Sequence, residues 1–238
     1  FGFVERLSEP IKGARPTAPS RFSPRFSYSY FAVYGDALLE SEPFPDGMLA
    51  RLAEAGVDGV WLQTVLYTLA PFPWDPARSE HYEQRLENLQ KLTERARQYG
   101  IGVYLYLNEP RSMPLDFFAG REHLKGVEEA GYGRLCTSVP EVQDYLRASV
   151  AGICKAVPAL AGFFTITVGE NRTLCWSHMD ASGCPRCSAR APAEVVAETC
   201  TVIQEGIDAA GTNASLIVWD WAWPEPWFED IVARLPKE

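Results

Sequence analysis

The sequence predicts an α/β protein: a (β/α)8 or TIM barrel of which the first five β/α units lie in this chain. Three observations carry that reading. Five apolar segments of strand length alternate with amphipathic segments of helix length, the order that builds a parallel sheet covered by helices. The segment after the first strand, "YGDALLESEPF", lacks the Gly-rich phosphate loop that a doubly wound sheet usually carries there. Polar residues gather where the apolar segments end, at Gly35-Asp36, Gln63, Asn108-Glu109, Glu170-Asn171 and Asp220, and a barrel places its chemistry at the C-terminal ends of its strands. A full barrel takes about 250 residues or more, so a chain of 238 residues with five visible units is expected to lack the last three strands.

The elements run in order along the chain. Residues 1–27, rich in Pro, Ser and Arg, read as an extended lead-in, and the barrel is expected over 28–238. "YSYFAVYGDALL" is aromatic and β-branched and is broken by Gly35-Asp36, which predicts strand one. "PFPDGMLARLAEAG" predicts a helix starting near Pro45 and Asp46 and stopping at Gly56. "VDGVWLQTVL" is strand two. "HYEQRLENLQKLTERARQYG" sets Leu86, Leu89, Leu92, Ala96 and Tyr99 on one helical stripe closed by Gly100. "IGVYLYLNEP" is strand three, and after a loop "VPEVQDYLRASVAGICKAVP" is the next helix. "AGFFTITVGEN" is strand four, "APAEVVAETCTVIQEGIDAAG" a helix with a Gly stop, "SLIVWDWAWP" strand five, and "PWFEDIVARLP" opens a further helix.

Bulk properties exclude several roles. With 47% hydrophobic and 12% aromatic residues the chain can bury a large core. A formal charge of −9 and no Lys/Arg run leave no footprint for nucleic acid or an anionic lipid surface. The longest apolar runs, 101–107 and 160–168, fall far short of the roughly 20 residues of a membrane-crossing helix. The chain starts at Phe1 without an initiator Met and without a signal-like leader, which suggests a trimmed start or an excerpt. Six cysteines are too few for a disulfide scaffold.

Each strand-end acid has a bland reading beside a functional one. A carboxyl at the end of "FTITVG" is expected to be partly desolvated, which raises its pKa toward that of a general acid, so Glu170 is the leading catalytic candidate; pairing with Arg172 or helix capping is the alternative. Glu109 in "YLNEPRSMP" serves a ligand or pairs with Arg111. Asp220 sits among Trp219, Trp221 and Trp223, and Trp faces beside a carboxylate suit a sugar ring, whose C–H groups complement the π-face. Asn108, Arg111, Asn171 and Trp61, at or near the same strand ends, complete the expected carbohydrate-binding set.

In its order of segments the chain resembles the catalytic barrel of family-20 β-N-acetylhexosaminidases and related glycoside hydrolases. "SPRFSYSYF" is similar to that family's lead-in to strand one, "YLYLNEPRSMP" to its strand-three ending, "TSVPEVQDYL" to the helix start before strand four, "TVGEN" to its strand-four Gly-Gly-Asp-Glu ending, and "IVWDWAW" to the Trp beside an acid on strand five. The resemblance spans roughly 20–225 and implies a glycosidase with Glu170 as general acid. Where the family has the Asp that orients the substrate acetamido group, this chain has Gly169, and the strand-one Arg has no counterpart. The acetamido-assisted mechanism is therefore not carried over. Asn108-Glu109-Pro110 is also similar to the acid/base motif of the largest barrel glycosidase clan; there it ends strand four, here strand three, and the match reads as coincidence. Hydrolysis needs two carboxyls or one plus a substrate nucleophile. The partner of Glu170 is Glu109, Asp220 or a residue on a strand outside the chain.

The loop 171–192 reads as an insertion carrying Cys175, His178, Cys184 and Cys187 in a C-x2-H-x5-C-x2-C pattern, which predicts a closed, structural zinc site holding the loop beside Glu170. A disulfide or a plain reduced loop are the rivals. Cys136, Cys154 and Cys200 read as small buried hydrophobes and His81 and His123 as surface or packing residues. Reduced, metal-bound thiols lean toward the cytoplasm. Of the two glycosylation-type triplets, Asn171-Arg-Thr is discounted because it falls in the expected cleft, and Asn213-Ala-Ser stands. The expected function is a glycoside hydrolase acting on a carbohydrate. A catalytically silent carbohydrate-binding barrel and a zinc-dependent hydrolase of a non-sugar substrate are the alternatives.

Overall fold

The computed structural model describes residues 22–237. Its main sheet has five parallel strands: β1 (Phe26–Ser27), β2 (Gly59–Thr64), β3 (Gly102–Leu107), β7 (Gly162–Ile166) and β8 (Ser215–Trp219), in that spatial order. Strands that neighbour one another in the order of the chain belong to a barrel, whereas a doubly wound sheet reverses direction at its middle. The connecting helices are α1 (Asp46–Glu54), the short α2 (Leu66–Leu69), α3 (Tyr82–Gln98), α4 (Pro140–Ala156) and α5 (Pro192–Ala210), with α6 (Glu225–Arg234) after β8. The architecture is a five-strand segment of a (β/α)8 barrel. Its ring is open, with β1 at one edge and β8 at the other among the described residues.

Burial shows which face the helices cover. Val60 and Leu62 in β2, and Val103, Leu105 and Leu107 in β3, are buried, while their alternating partners Trp61, Gln63, Tyr104 and Tyr106 are only half-buried. Alternate side chains point to opposite faces of a strand, so the aliphatic set packs on the helices and the aromatic set lines the concave face of the sheet. The core continues through Leu89, Leu92 and Ala96 of α3, Val142, Leu146 and Val150 of α4, and Val195, Val196 and Ile203 of α5. Pro at the first helical position starts α4 and α5 without wasting an amide, and Gly211 in the left-handed region ends α5. Among the described residues no helix is long and apolar enough to cross a membrane.

Two expectations need correction. "YSYFAVYGDALL" is not a strand: Tyr30–Ala32 form a 3-10 turn, and Tyr30, Phe31 and Tyr34 are exposed. The first strand lies just before it, at Phe26–Ser27, inside the stretch read as lead-in; residues 1–21 of that lead-in fall outside the described residues. The cause is local pairing. The Asp58 carboxylate accepts from the Arg25 amide while the Arg25 carbonyl accepts from the amides of Asp58 and Gly59, which docks Phe26 and Ser27 against Gly59 and Val60. Aromatic propensity without a pairing partner was not sufficient. The second correction is the loop after β3, which holds a small antiparallel sheet of β4 (Met113–Pro114), β6 (Tyr132–Leu135) and β5 (Lys125–Glu129), in that order.

Candidate functional site

The concave face carries an unbroken aromatic wall. Tyr28 stacks on Trp61 with ring centroids 4.8 Å apart, Trp61 meets Tyr106 and Phe164 edge-on at 5.4 and 5.5 Å, and Tyr106 stacks on Phe164 at 4.7 Å. Phe164 leans on Trp219 at 5.9 Å, and Trp219 meets Trp221 at 5.4 Å. These rings line a cavity of about 470 Å³, closed at the strand ends by Glu170 and Asn171. That volume lies within the range of small-molecule sites. Glu170 is the one carboxylate among the lining residues.

Polar side chains at the ends of β3 and β7 are tied together beneath this cavity. Asn108, fully buried, accepts through Oδ1 from the Tyr106 hydroxyl at 3.3 Å and from Asn171 Nδ2 at 3.2 Å. Arg111 Nη1 donates to Asn171 Oδ1 at 3.5 Å. Burial raises the Tyr106 phenol above its ordinary value, against the opposing hydrogen bond to Asn108. Arg111 lines a smaller adjoining cavity of about 270 Å³ with Gln63, Thr64 and Asp36, whose carboxylate is held by Arg85 at 2.7 Å.

Gly169 explains why the residue before Glu170 is not an acid. Its φ of 139° lies where residues with a Cβ are strained, and a Cβ there would stand 3.0 Å from Trp221 Cδ1. Its amide donates to the Ser177 carbonyl at 3.0 Å, closing the loop that carries Glu170. The same loop is held by Thr173 Oγ1 donating to the Thr167 carbonyl at 2.7 Å and by the Ser112 amide donating to the Arg172 carbonyl at 3.1 Å.

The predicted residues separate into two groups. Trp61, Trp219, Trp221, Glu170 and Asn171 meet at the cavity, and Asn108 and Arg111 brace it. Glu170 itself is exposed to solvent, contrary to the expected partial desolvation. Glu109 points elsewhere. It is 1% exposed, and its Oε1 and Oε2 accept from the Leu66 amide at 2.8 Å and the Arg111 amide at 3.0 Å, so it caps α2 and shapes the turn after β3. Burial pushes its pKa up to about 7 against the opposing pull of Arg111 and these amides. Asp220 is exposed and does not line the cavity; its carbonyl accepts from the Trp223 amide in a turn. Trp223 turns back to the protein, donating from Nε1 to Thr167 Oγ1 at 2.9 Å. Tyr28, Tyr106 and Phe164 were not anticipated. The i, i+2 spacing of Tyr104 and Tyr106 was the available signal, but only the sheet register, which sets Trp61 opposite Tyr104, shows which face it serves.

The cysteine cluster also differs from expectation. Sγ atoms of Cys136, Cys175, Cys184 and Cys187 all lie within 4.8 Å of one another, and all four residues are fully buried. His178 is outside this set: its Nδ1 lies 2.7 Å from Glu129 Oε2, which also receives Arg134 Nη2 at 2.7 Å and Arg172 Nε at 3.5 Å. A buried guanidinium, Arg134 at 1% exposure, needs a carboxylate, and the carboxylate that supplies it captures the imidazole as well. Cys136, at the end of β6, takes the place expected for His178. An isolated cysteine 39 residues before Cys175 carries no spacing signature, so only the tertiary structure reveals it.

No protein-family model matches the chain, and no curated protein matches it either. Solved glycoside hydrolase barrels do match as folds. A GH5-4 broad specificity endoglucanase from an uncultured bacterium aligns at a TM-score of 0.53 and 8% identity, over 86% of this chain and 56% of the other. A glycoside hydrolase family 5 enzyme from Prevotella bryantii B14 aligns at 0.50 and 14%, over 82% of this chain and 50% of the other. A GH20 module of the pneumococcal exo-β-D-N-acetylglucosaminidase StrH reaches 0.49 at 11% identity, over 80% of this chain and 60% of the other. The chain thus spans about half the length of the structures it matches. The two family-5 likenesses establish the barrel fold, and no family model confirms the family-20 resemblance.

Proposed function

We propose that this chain is part of a glycoside hydrolase in which Glu170 is the general acid and the aromatic wall binds the sugar. The observation that carries the proposal is the meeting of one carboxylate with Trp61, Tyr106, Phe164, Trp219 and Trp221 in a single cavity on the concave face of the sheet, with the carboxylate just beyond the C-terminal end of β7. Ring faces supply broad apolar contact to the C–H faces of a pyranose. A carboxylic acid at the rim is set to protonate a departing glycosidic oxygen, and Asn171, braced by Asn108 and Arg111, offers an amide to sugar hydroxyls. Among the described residues lining the cavity there is no second carboxylate. The hydrolysis therefore calls on a group from beyond these residues or from the substrate. Hexosaminidase specificity has no support from the Gly169 position, which cannot hold the orienting Asp.

The test is turnover of a panel of nitrophenyl glycosides by the protein as naturally produced and by Glu170→Gln. Hydrolysis that survives unchanged in Glu170→Gln would remove Glu170 from the mechanism. A silent carbohydrate-binding barrel is the second reading, favoured by the solvent exposure of Glu170; calorimetric oligosaccharide binding without turnover of any glycoside supports it. Zinc-dependent hydrolysis of a non-sugar substrate has less support, because the sulfur cluster is fully buried and its four donors leave no open coordination position.

A further inference from the structure

The four buried sulfurs come from three separate segments: Cys136 after β6, Cys175 in the Glu170 loop, and the Cys184-Pro-Arg-Cys187 turn. We propose that they form a tetrathiolate site for one zinc ion, which ties the antiparallel insert to the loop bearing Glu170. The ligand set differs from the sequence pattern by Cys136 in place of His178.

Geometry supports it first. Cys136 Sγ lies 3.7 Å from Cys184 Sγ and 3.5 Å from Cys187 Sγ. A tetrahedron of sulfurs about 2.3 Å from zinc has edges of about 3.8 Å, whereas a disulfide needs about 2.05 Å. The cluster has the first spacing, and all six cysteines are unpaired. Close approach is built in at Gly126 on β5, where a Cβ would overlap Cys175 Sγ.

Hydrogen-bond donors and a guanidinium face the sulfurs. Arg186 Nε donates to Cys136 Sγ at 3.3 Å, and the Ser138 hydroxyl lies 3.3 Å from Cys187 Sγ. Hydrogen bonds of this kind orient metal ligands and strengthen when the acceptor is charged. Arg134 Nη1 donates to the Cys175 carbonyl at 3.1 Å. Of the nearby guanidinium groups, Arg134 and Arg172 pair with Glu129, and Arg186 faces the sulfurs. A divalent ion with four thiolates carries two negative charges, which these cations offset in part. Without an ion, four thiols would be buried together with only weak S–H hydrogen bonds.

A site of this kind has a purpose here. Residues 167–191 contain no helix or strand, and loop segments of this length are costly to order. Binding releases the four thiol protons and fixes three chain segments at one point.

The experiment is metal analysis and zinc-edge X-ray absorption on the purified protein. One zinc per chain surrounded by four sulfurs supports the site; three sulfurs and one nitrogen overturn it in favour of His178. Loss of zinc and a lower melting temperature in Cys136→Ser, with full zinc in His178→Ala, support it further. If Cys136→Ser does not fold, the coordination count on the wild type decides. Full zinc in Cys136→Ser, iron as the bound metal, or metal-free protein with freely titrating cluster thiols overturns it.

Discussion

The ends of β3 and β7 each present a glutamate beside an asparagine, and the fold treats them in opposite ways. Glu109 is sealed under α2 with both oxygens accepting from backbone amides, while Glu170 stands exposed at the rim of an aromatic cavity. The difference arises in the turn that leaves each strand. After β3 the chain turns back toward Leu66 and Arg111, and the carboxylate satisfies amides that would otherwise be buried unpaired. After β7, Gly169 swings the chain outward and the loop closes on itself through Ser177. A glutamate at a barrel strand end is thus a structural group or a candidate catalyst depending on whether amides reach it first.

Substitutions can break that contrast. Glu170→Gln is expected to lower kcat on a glycoside substrate by about 100-fold or more, the usual weight of a general acid, with an unchanged melting temperature. Glu109→Ala is expected to cost about 2–4 kcal/mol at pH 4.5, since two buried amides lose their acceptor, and less at higher pH, measured by denaturant unfolding. The same residue sets a pH dependence. Its folded pKa of about 7 stands above the ordinary 4.5, so the folded state binds the extra proton between those values. Its contribution is fully present below pH 4.5 and is lost as pH rises through about 7, a fall of about 3 kcal/mol that Glu109→Ala should remove from the stability profile.

Smaller effects separate the aromatic residues. Trp219→Ala is expected to raise KM by about tenfold, equal to about 1.4 kcal/mol of lost sugar contact. Trp223→Phe removes the bond to Thr167 and part of the ring packed against Phe228; it should cost about 1–3 kcal/mol of stability and leave KM unchanged. Equal KM effects from the two would show that the cavity extends past Trp221.

Much of this was readable in the chain. Apolar runs separated by amphipathic helices specified the parallel sheet, and the polar punctuation after each run marked the strand ends, because burial on both sides of a strand demands a continuous apolar text. Glu170, Asn171 and Trp219 follow from that logic alone. Assignments that depended on direction did not. Glu109 and Glu170 look alike in sequence, as do Trp221 and Trp223, because facing is set by backbone turns and by competing amides or hydroxyls.

By itself, then, the sequence determined the alternation of strands and helices from β2 onward in the main sheet and the three loop cysteines, both of which are written in local periodicity and spacing. Tertiary structure alone decided that Phe26–Ser27, and not the aromatic run after it, pairs with β2, that His178 goes to Glu129, and that Cys136 joins the other sulfurs. Each of those depends on contacts between residues far apart in the chain, where packing and charge neutralisation outweigh any local preference.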